Sequence, residues 1–343
     1  MEESANLASA IVTMAAFFLS LAALFVAFQR HVQAKPIIPY EPRQSVPWGS
    51  WVVIIPLFCI IQAFLQWIDD QQDTDSEIDP SDFIDVGWIN SVVMIGFVLF
   101  TIVWLRFALG ADARDLGFPR SLRQLIFDVG IGCSACFASL LPVYSIHLVL
   151  NVVFEPQQQH QLVEQMQQHR SPQMLLVGFV VAVIAAPLFE EFAFRLLLQG
   201  WLERCEDQLI GYRDSQSRQQ LADLLDFDEL DEQLPRGPVI SYTNLPVNGV
   251  APTVGERPEQ ADTPPESRRG MISGLPHGWT PVLISGTAFG LAHLAHGVSA
   301  VPLILFGIVL GYLYQRTHRL APSIAAHMLF NAFTMLLLWL ELS

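Results

Sequence analysis

The sequence predicts an all-α fold: a polytopic transmembrane helical bundle of about eight spans, with a long cytoplasmic insertion before the sixth. Three observations predict it. The 343-residue chain is 52% hydrophobic, with a mean hydropathy of +0.39. Its apolar residues come in long blocks rather than along one face of each helix, and several blocks reach the roughly 20 residues that a bilayer-crossing helix needs. The net charge of −15 is concentrated in two hydrophilic loops, which argues against nucleic-acid binding and against a polybasic lipid contact.

The first block, residues 7–28, follows Glu2 and Glu3 rather than a basic stretch. A retained first helix is therefore expected, not a cleaved secretory signal. Further spans are expected over residues 48–68, 86–109, 125–154, 173–201, 280–296, 299–314 and 320–340. Gly297 and Pro302 break the chain between the sixth and seventh, each near the lower length limit for crossing, so two short spans and one re-entrant hairpin both fit. Residues 203–278 form a hydrophilic, acidic insertion whose second half, with Pro252, Pro258, Pro264 and Pro265, reads as disordered. The chain thus divides into an N-terminal region of three spans, residues 1–124, and a membrane core, residues 125–343, interrupted by that insertion.

Basic residues set the expected orientation. Arg30, His31, Lys35 and Arg43 follow the first span; Arg106, Arg114, Arg120 and Arg123 the third; Arg204 the fifth; and Arg316, His318 and Arg319 the seventh. Every second loop is basic, so these loops are expected in the cytoplasm and the N-terminus outside. The acidic loop after the second span then falls outside. Cys59, Cys133, Cys136 and Cys205 lie in or beside apolar segments and read as packing residues, since the Cys133/Cys136 pair lacks a soluble strand and helix around it.

Glu190, Glu191 and Arg195 sit inside the fifth apolar block. Each charge costs roughly 2.5–3.5 kcal/mol at a helix centre on insertion scales, so an intramembrane ionisable group marks a functional site with partners to be found. On a helix Glu191 and Arg195 share a face and can pair, while Glu190 points about 100° away and stays free to take a proton from water. Pro187 removes a backbone hydrogen bond just before them and opens room for that water. The later apolar segments supply His293, four residues after Phe289, and His327, four before Asn331. Glu190, His293 and His327 fall roughly 16, 21 and 12 Å from the basic ends of their spans, comparable depths for a shared pocket reached from the cytoplasmic half of the membrane.

Carboxylate, histidine and amide around a water make up a hydrolytic set. Glu190 would act as general base, orienting the water with His293, while His327 and Asn331 would donate to an oxyanion. No cofactor is then required. Zinc is the alternative, with Glu190, His293 and His327 as ligands, although the sequence lacks His-Glu-x-x-His. His296 reads as a helix-capping residue before Gly297, and Ser285 and Ser299 have no distinctive surroundings.

The three segments Glu190-Glu191-Phe192-Ala193-Phe194-Arg195, Phe289-Gly290-Leu291-Ala292-His293 and His327-Met328-Leu329-Phe330-Asn331 resemble, in order, the pattern of the CAAX prenyl endopeptidase type II and bacteriocin-processing (CPBP) membrane proteases, also called the abortive-infection family. The resemblance covers residues 173–340 apart from the insertion. It implies an intramembrane endopeptidase in which Glu190 and His293 activate water, His327 and Asn331 stabilise the oxyanion, and Glu191 with Arg195 holds the site together. The implied substrate is a membrane-associated protein or peptide, in a bacterial-type cytoplasmic membrane. Eukaryotic members remove a C-terminal tripeptide from prenylated proteins, and bacterial members are linked to peptide processing and bacteriocin self-immunity. A non-catalytic scaffold or immunity protein, and a transporter or proton relay, are the competing readings; the relay would predict inverted repeats, and none is visible.

Overall fold

The computed structural model describes residues 2–42, 45–70, 80–154, 171–209 and 278–342. All eight principal elements are helices: α1 (Glu2–Val32), α2 (Ile54–Asp70), α3 (Pro80–Ala108), α4 (Leu122–Val153), α5 (Pro172–Leu209), α6 (Thr280–Leu291), α7 (Ala300–Thr317) and α8 (Leu320–Leu342). Seven of them are long and apolar enough to cross a membrane, and α6 is apolar but shorter. The chain is an integral membrane protein.

Local chemistry sets the helix ends. Ser121 caps α4 by accepting from the Gln124 N–H, and Ser171 caps α5 by accepting from the Met174 N–H, with Pro172 in the first turn where its missing N–H is not needed. α7 stops at His318, which adopts a left-handed conformation with φ 47°.

Two expectations from sequence are corrected. The sixth helix ends at Leu291 rather than running to 296, because a 3-10 turn over Leu294–Ser299, with Gly297 at φ +60°, reverses the chain into α7. The fifth runs to Leu209, past the expected start of the insertion at Glu203, so Glu203 and Glu206 are buried helix residues. Residues 210–277, which hold the part of the insertion expected to be disordered, lie outside the described residues, as does the His296 side chain.

α6 and α7 form a tight antiparallel hairpin. A Cβ on Gly286 would lie 2.7 Å from the Ile308 backbone nitrogen, and one on Gly290 would lie 2.2 Å from Ile304 Cγ1 and 2.8 Å from its nitrogen. Small residues let the two backbones touch where lipid supplies no hydrophobic drive for association. The hairpin packs against the second half of α5, and α8 packs against α4, α7 and α5. α3 lies along the first half of α5, and α1 covers α4 and α8.

At the end of the bundle that carries the basic loops, a buried polar network ties the segments together. Arg319 binds Asp128 of α4 through two hydrogen bonds of 2.6 and 2.7 Å and also contacts Glu41. Burial works against the Arg319 charge, yet the bonds to Asp128 and Glu41 outweigh it and hold its pKa above the ordinary value. His318 Nε2 lies 3.2 Å from Glu203 Oε2, and the Trp48 indole donates to the Leu197 carbonyl.

Gly290→Ala should lower stability by about 1–3 kcal/mol, the usual cost of overpacking, because its new methyl meets backbone as well as side chain. Gly96→Ala, with nothing within 4 Å of the added Cβ, should lose nothing. Thermal unfolding of both variants in the same detergent distinguishes them.

Candidate active site

The segment of α5 that carries the charged motif is not a regular α-helix. Val180–Ala185 and Glu191–Gln199 are π-helical, separated by one short α turn over Ala186–Glu190. Such wide turns cluster at functional sites. The first has a direct consequence: the Ala186 N–H bonds to the Val181 carbonyl, so the next donor due, for the Ala182 carbonyl, is Pro187, which has no N–H. The side chain of Asn331 on α8 fills the gap, its Nδ2 donating to the Ala182 carbonyl at 2.7 Å. Pro187 therefore does free a backbone carbonyl, and the structure assigns it to Asn331.

Glu191 and Arg195 are both fully buried, with Arg195 Nε 3.2 Å from Glu191 Oε2. The other Glu191 oxygen accepts from His327 Nδ1 at 3.0 Å. Arg195 Nη1 donates to Ser285 Oγ at 2.9 Å, and the Ser285 hydroxyl donates in turn to the Phe194 carbonyl at 2.8 Å. The Phe289 ring completes the enclosure: the Arg195 guanidinium lies over it at 4.9 Å, and its centroid is 4.8 Å from the His293 ring and 5.4 Å from the His327 ring. The carboxylate and the guanidinium thus neutralise one another's charge in a place where neither could stand alone, although Glu191 Oε2 and Arg195 Nε and Nη2 make no hydrogen bond.

Glu190 has a different setting. It is 18% exposed, and its Oε2 faces two imidazoles, 3.8 Å from His293 Nε2 and 3.7 Å from His327 Nε2. Both separations exceed a hydrogen bond, and Glu190 Oε2 is buried without such a partner. Backbone and carboxylate fix the ring orientations. His293 lies just beyond the end of α6 rather than within it, and its Nδ1 reaches back to the Phe289 carbonyl at 2.8 Å. His327 Nδ1 is taken by Glu191. Each Nδ1 therefore carries its hydrogen, and both Nε2 atoms are turned toward Glu190.

The structure brings Glu190, Glu191, Arg195, His293 and His327 into one cluster and attaches Asn331 to the same helix two turns earlier. Among the described residues, no group of three or more His, Cys, Asp or Glu side chains has the arrangement of a metal site. All four cysteines are free. Sequence reasoning passed over Ser285; its signal was the spacing of 285, 289 and 293, one face of a helix. The basic end of the cluster is closed. Gln199, Glu203, Tyr314 and Gln315 are buried there, and Gln199 Nε2 donates to Glu203 and to the Gly311 carbonyl. This packing runs against the expectation that the site opens toward the cytoplasmic half.

Fold and cluster together define a helical integral membrane protein with a polar site built in its core. Residues 267–333 match the family model described as type II CAAX prenyl endopeptidase Rce1-like. The matched segment holds His293, His327 and Asn331 but not Glu190, Glu191 or Arg195. No curated protein and no solved structure matches the chain.

Arg195→Met should cost about 3–5 kcal/mol, because it leaves Glu191 buried without its cation, and adding Glu191→Gln should restore part of that loss. Thermal unfolding of the two single variants and the double variant in nanodiscs measures the coupling.

Proposed function

We propose that the chain is an intramembrane glutamic-type endopeptidase that cleaves a membrane-associated protein or peptide. The observation that carries this reading is Glu190 Oε2 facing two imidazole Nε2 atoms at 3.8 and 3.7 Å, too far for direct bonds and within reach of one bridging water. Glu190 takes a proton from that water, with His293 Nε2 accepting the second hydrogen and holding the water in line. The hydroxide adds to the scissile carbonyl. His327, as the imidazolium that Glu191 stabilises, donates from Nε2 to the oxyanion, and the second amide hydrogen of Asn331 is its companion donor. Collapse of the tetrahedral intermediate breaks the C–N bond, and the proton held by Glu190 goes to the leaving amine.

Glu191 and Arg195 are positioning residues in this scheme. No cofactor takes part; zinc held by Glu190, His293 and His327 is the alternative that the test separates. By the distribution of basic residues, the N-terminus lies outside and the α7–α8 turn faces the cytoplasm of a bacterial-type cell.

Glu190→Gln should abolish cleavage, a loss of at least about a hundredfold on the scale of general-base catalysis, while the protein stays folded in the membrane. The measurement compares the termini of membrane and secreted proteins in cells carrying wild type or Glu190→Gln at matched expression. Termini present only with wild type establish proteolysis, and identical termini sink it. Cleavage by purified protein should survive prolonged chelation, and a loss reversed by added zinc would establish the metal alternative.

A further inference from the structure

α2 carries a stripe that a membrane helix has no reason to carry. Cys59, Gln62, Gln66 and Asp69 follow one another at helical spacing, and Gln62, Gln66 and Asp69 are exposed. Around the rest of the helix the exposed residues are those lipid requires, among them Leu57, Phe58, Ile61 and Phe64. The polar stripe lines an open groove of about 620 Å³. Its opposite side is formed by Ala292 and Ala295, which bracket His293, and their small side chains are what leave it open. One end of the groove adjoins the site, since Ala292 in its wall is the chain neighbour of His293.

We propose that this groove binds an extended segment of the polypeptide substrate beside the scissile bond and leads it to Glu190 from the end of the bundle opposite the basic loops. The inference rests on the protease reading. From Cys59 to Asp69 the helix rises roughly 15 Å, the length of about four to five extended residues. An unwound backbone in the membrane must have its N–H and C=O groups satisfied. A glutamine amide offers both a donor and an acceptor to that backbone, so the recognition tolerates many sequences. Asp69 at the mouth sets a charge preference: it favours a basic residue on the incoming chain and disfavours a free terminal carboxylate.

The test uses the full-length protein in liposomes with two synthetic peptides, each an apolar membrane segment flanked by either two lysines or two glutamates. p-Benzoylphenylalanine is placed at Gln62, Gln66 or Phe58 in the Glu190→Gln background. Crosslinks to the lysine peptide from positions 62 and 66, but not from lipid-facing 58, are expected. Separately, Asp69→Lys should reverse the lysine-over-glutamate preference in crosslinking, by about fivefold, the scale of one exposed charge pair. Equal crosslinking at 58, none at 62 and 66, or an unchanged preference in Asp69→Lys overturns the groove. Hydrolysis of either peptide by wild type reports the protease reading independently. Hydrolysis without the crosslinks removes the groove alone, whereas crosslinks without hydrolysis keep the groove and remove the protease.

Discussion

The ion pair between Glu191 and Arg195 is the constraint on which the rest of the structure depends. Both side chains are fully buried in a segment that crosses the membrane, so their charges must be compensated by protein. The partners come from two other helices and from α5 itself. His327 is brought by α8, Ser285 and Phe289 by α6, and the Phe194 carbonyl by α5 itself. α6 can come close enough to place Ser285 against the guanidinium because the hairpin it forms with α7 is held together backbone to backbone through Gly286, Gly290 and Gly307. A core of larger side chains would move the hydroxyl out of reach. The pair therefore selects which helices must be neighbours.

A second constraint acts along α5. Two π-helical stretches flank Glu190, and each shifts the backbone register by one residue relative to an α-helix. The first, combined with Pro187, leaves the Ala182 carbonyl without a helical donor, and Asn331 supplies one. The same asparagine is thus a structural tie between α5 and α8 as well as the expected oxyanion donor. Its two amide hydrogens make the roles compatible: one is spent on the carbonyl, and the other remains to point elsewhere. The arrangement also explains how a proline can lie three residues before Glu190 and four before Glu191 in a membrane helix, where its loss of a hydrogen bond would otherwise be costly.

Much of this could be read from the sequence, and the limits have physical causes. The pairing of Glu191 with Arg195 followed from a spacing of four, and it survives the change from α to π geometry because the two turns differ little over one step. The end of α6 did not follow, because no breaker interrupts Ala292 to His296 and only Gly297 signals the reversal. The His293 spacing from Phe289 still marks a real contact, made by Nδ1 reaching back to the helix end. Ser285 was invisible for a different reason. Serine is common in membrane helices, where it bonds to its own backbone, and only the position of Arg195 on another helix distinguishes this one. The Asp128 and Arg319 pair was equally hidden, since 191 residues separate its members.

The two ends of the bundle differ in a way that bears on how a substrate reaches the site. At the basic end, Asp128, Glu203, His318 and Arg319 join the loops into a closed polar layer, with Gln199 buried between that layer and Arg195. Opening it would separate several charged groups from their partners at once, a cost that grows with each pair broken. At the other end α6 stops short, and the turn that follows is flanked by alanines rather than by bulky residues. The short helix is what lets His293 lie beneath an opening while His327, on the full-length α8, stays buried. Access and rigidity are thus divided between the two histidines: the buried one is locked to Glu191, and the partly exposed one borders the route by which a peptide would arrive.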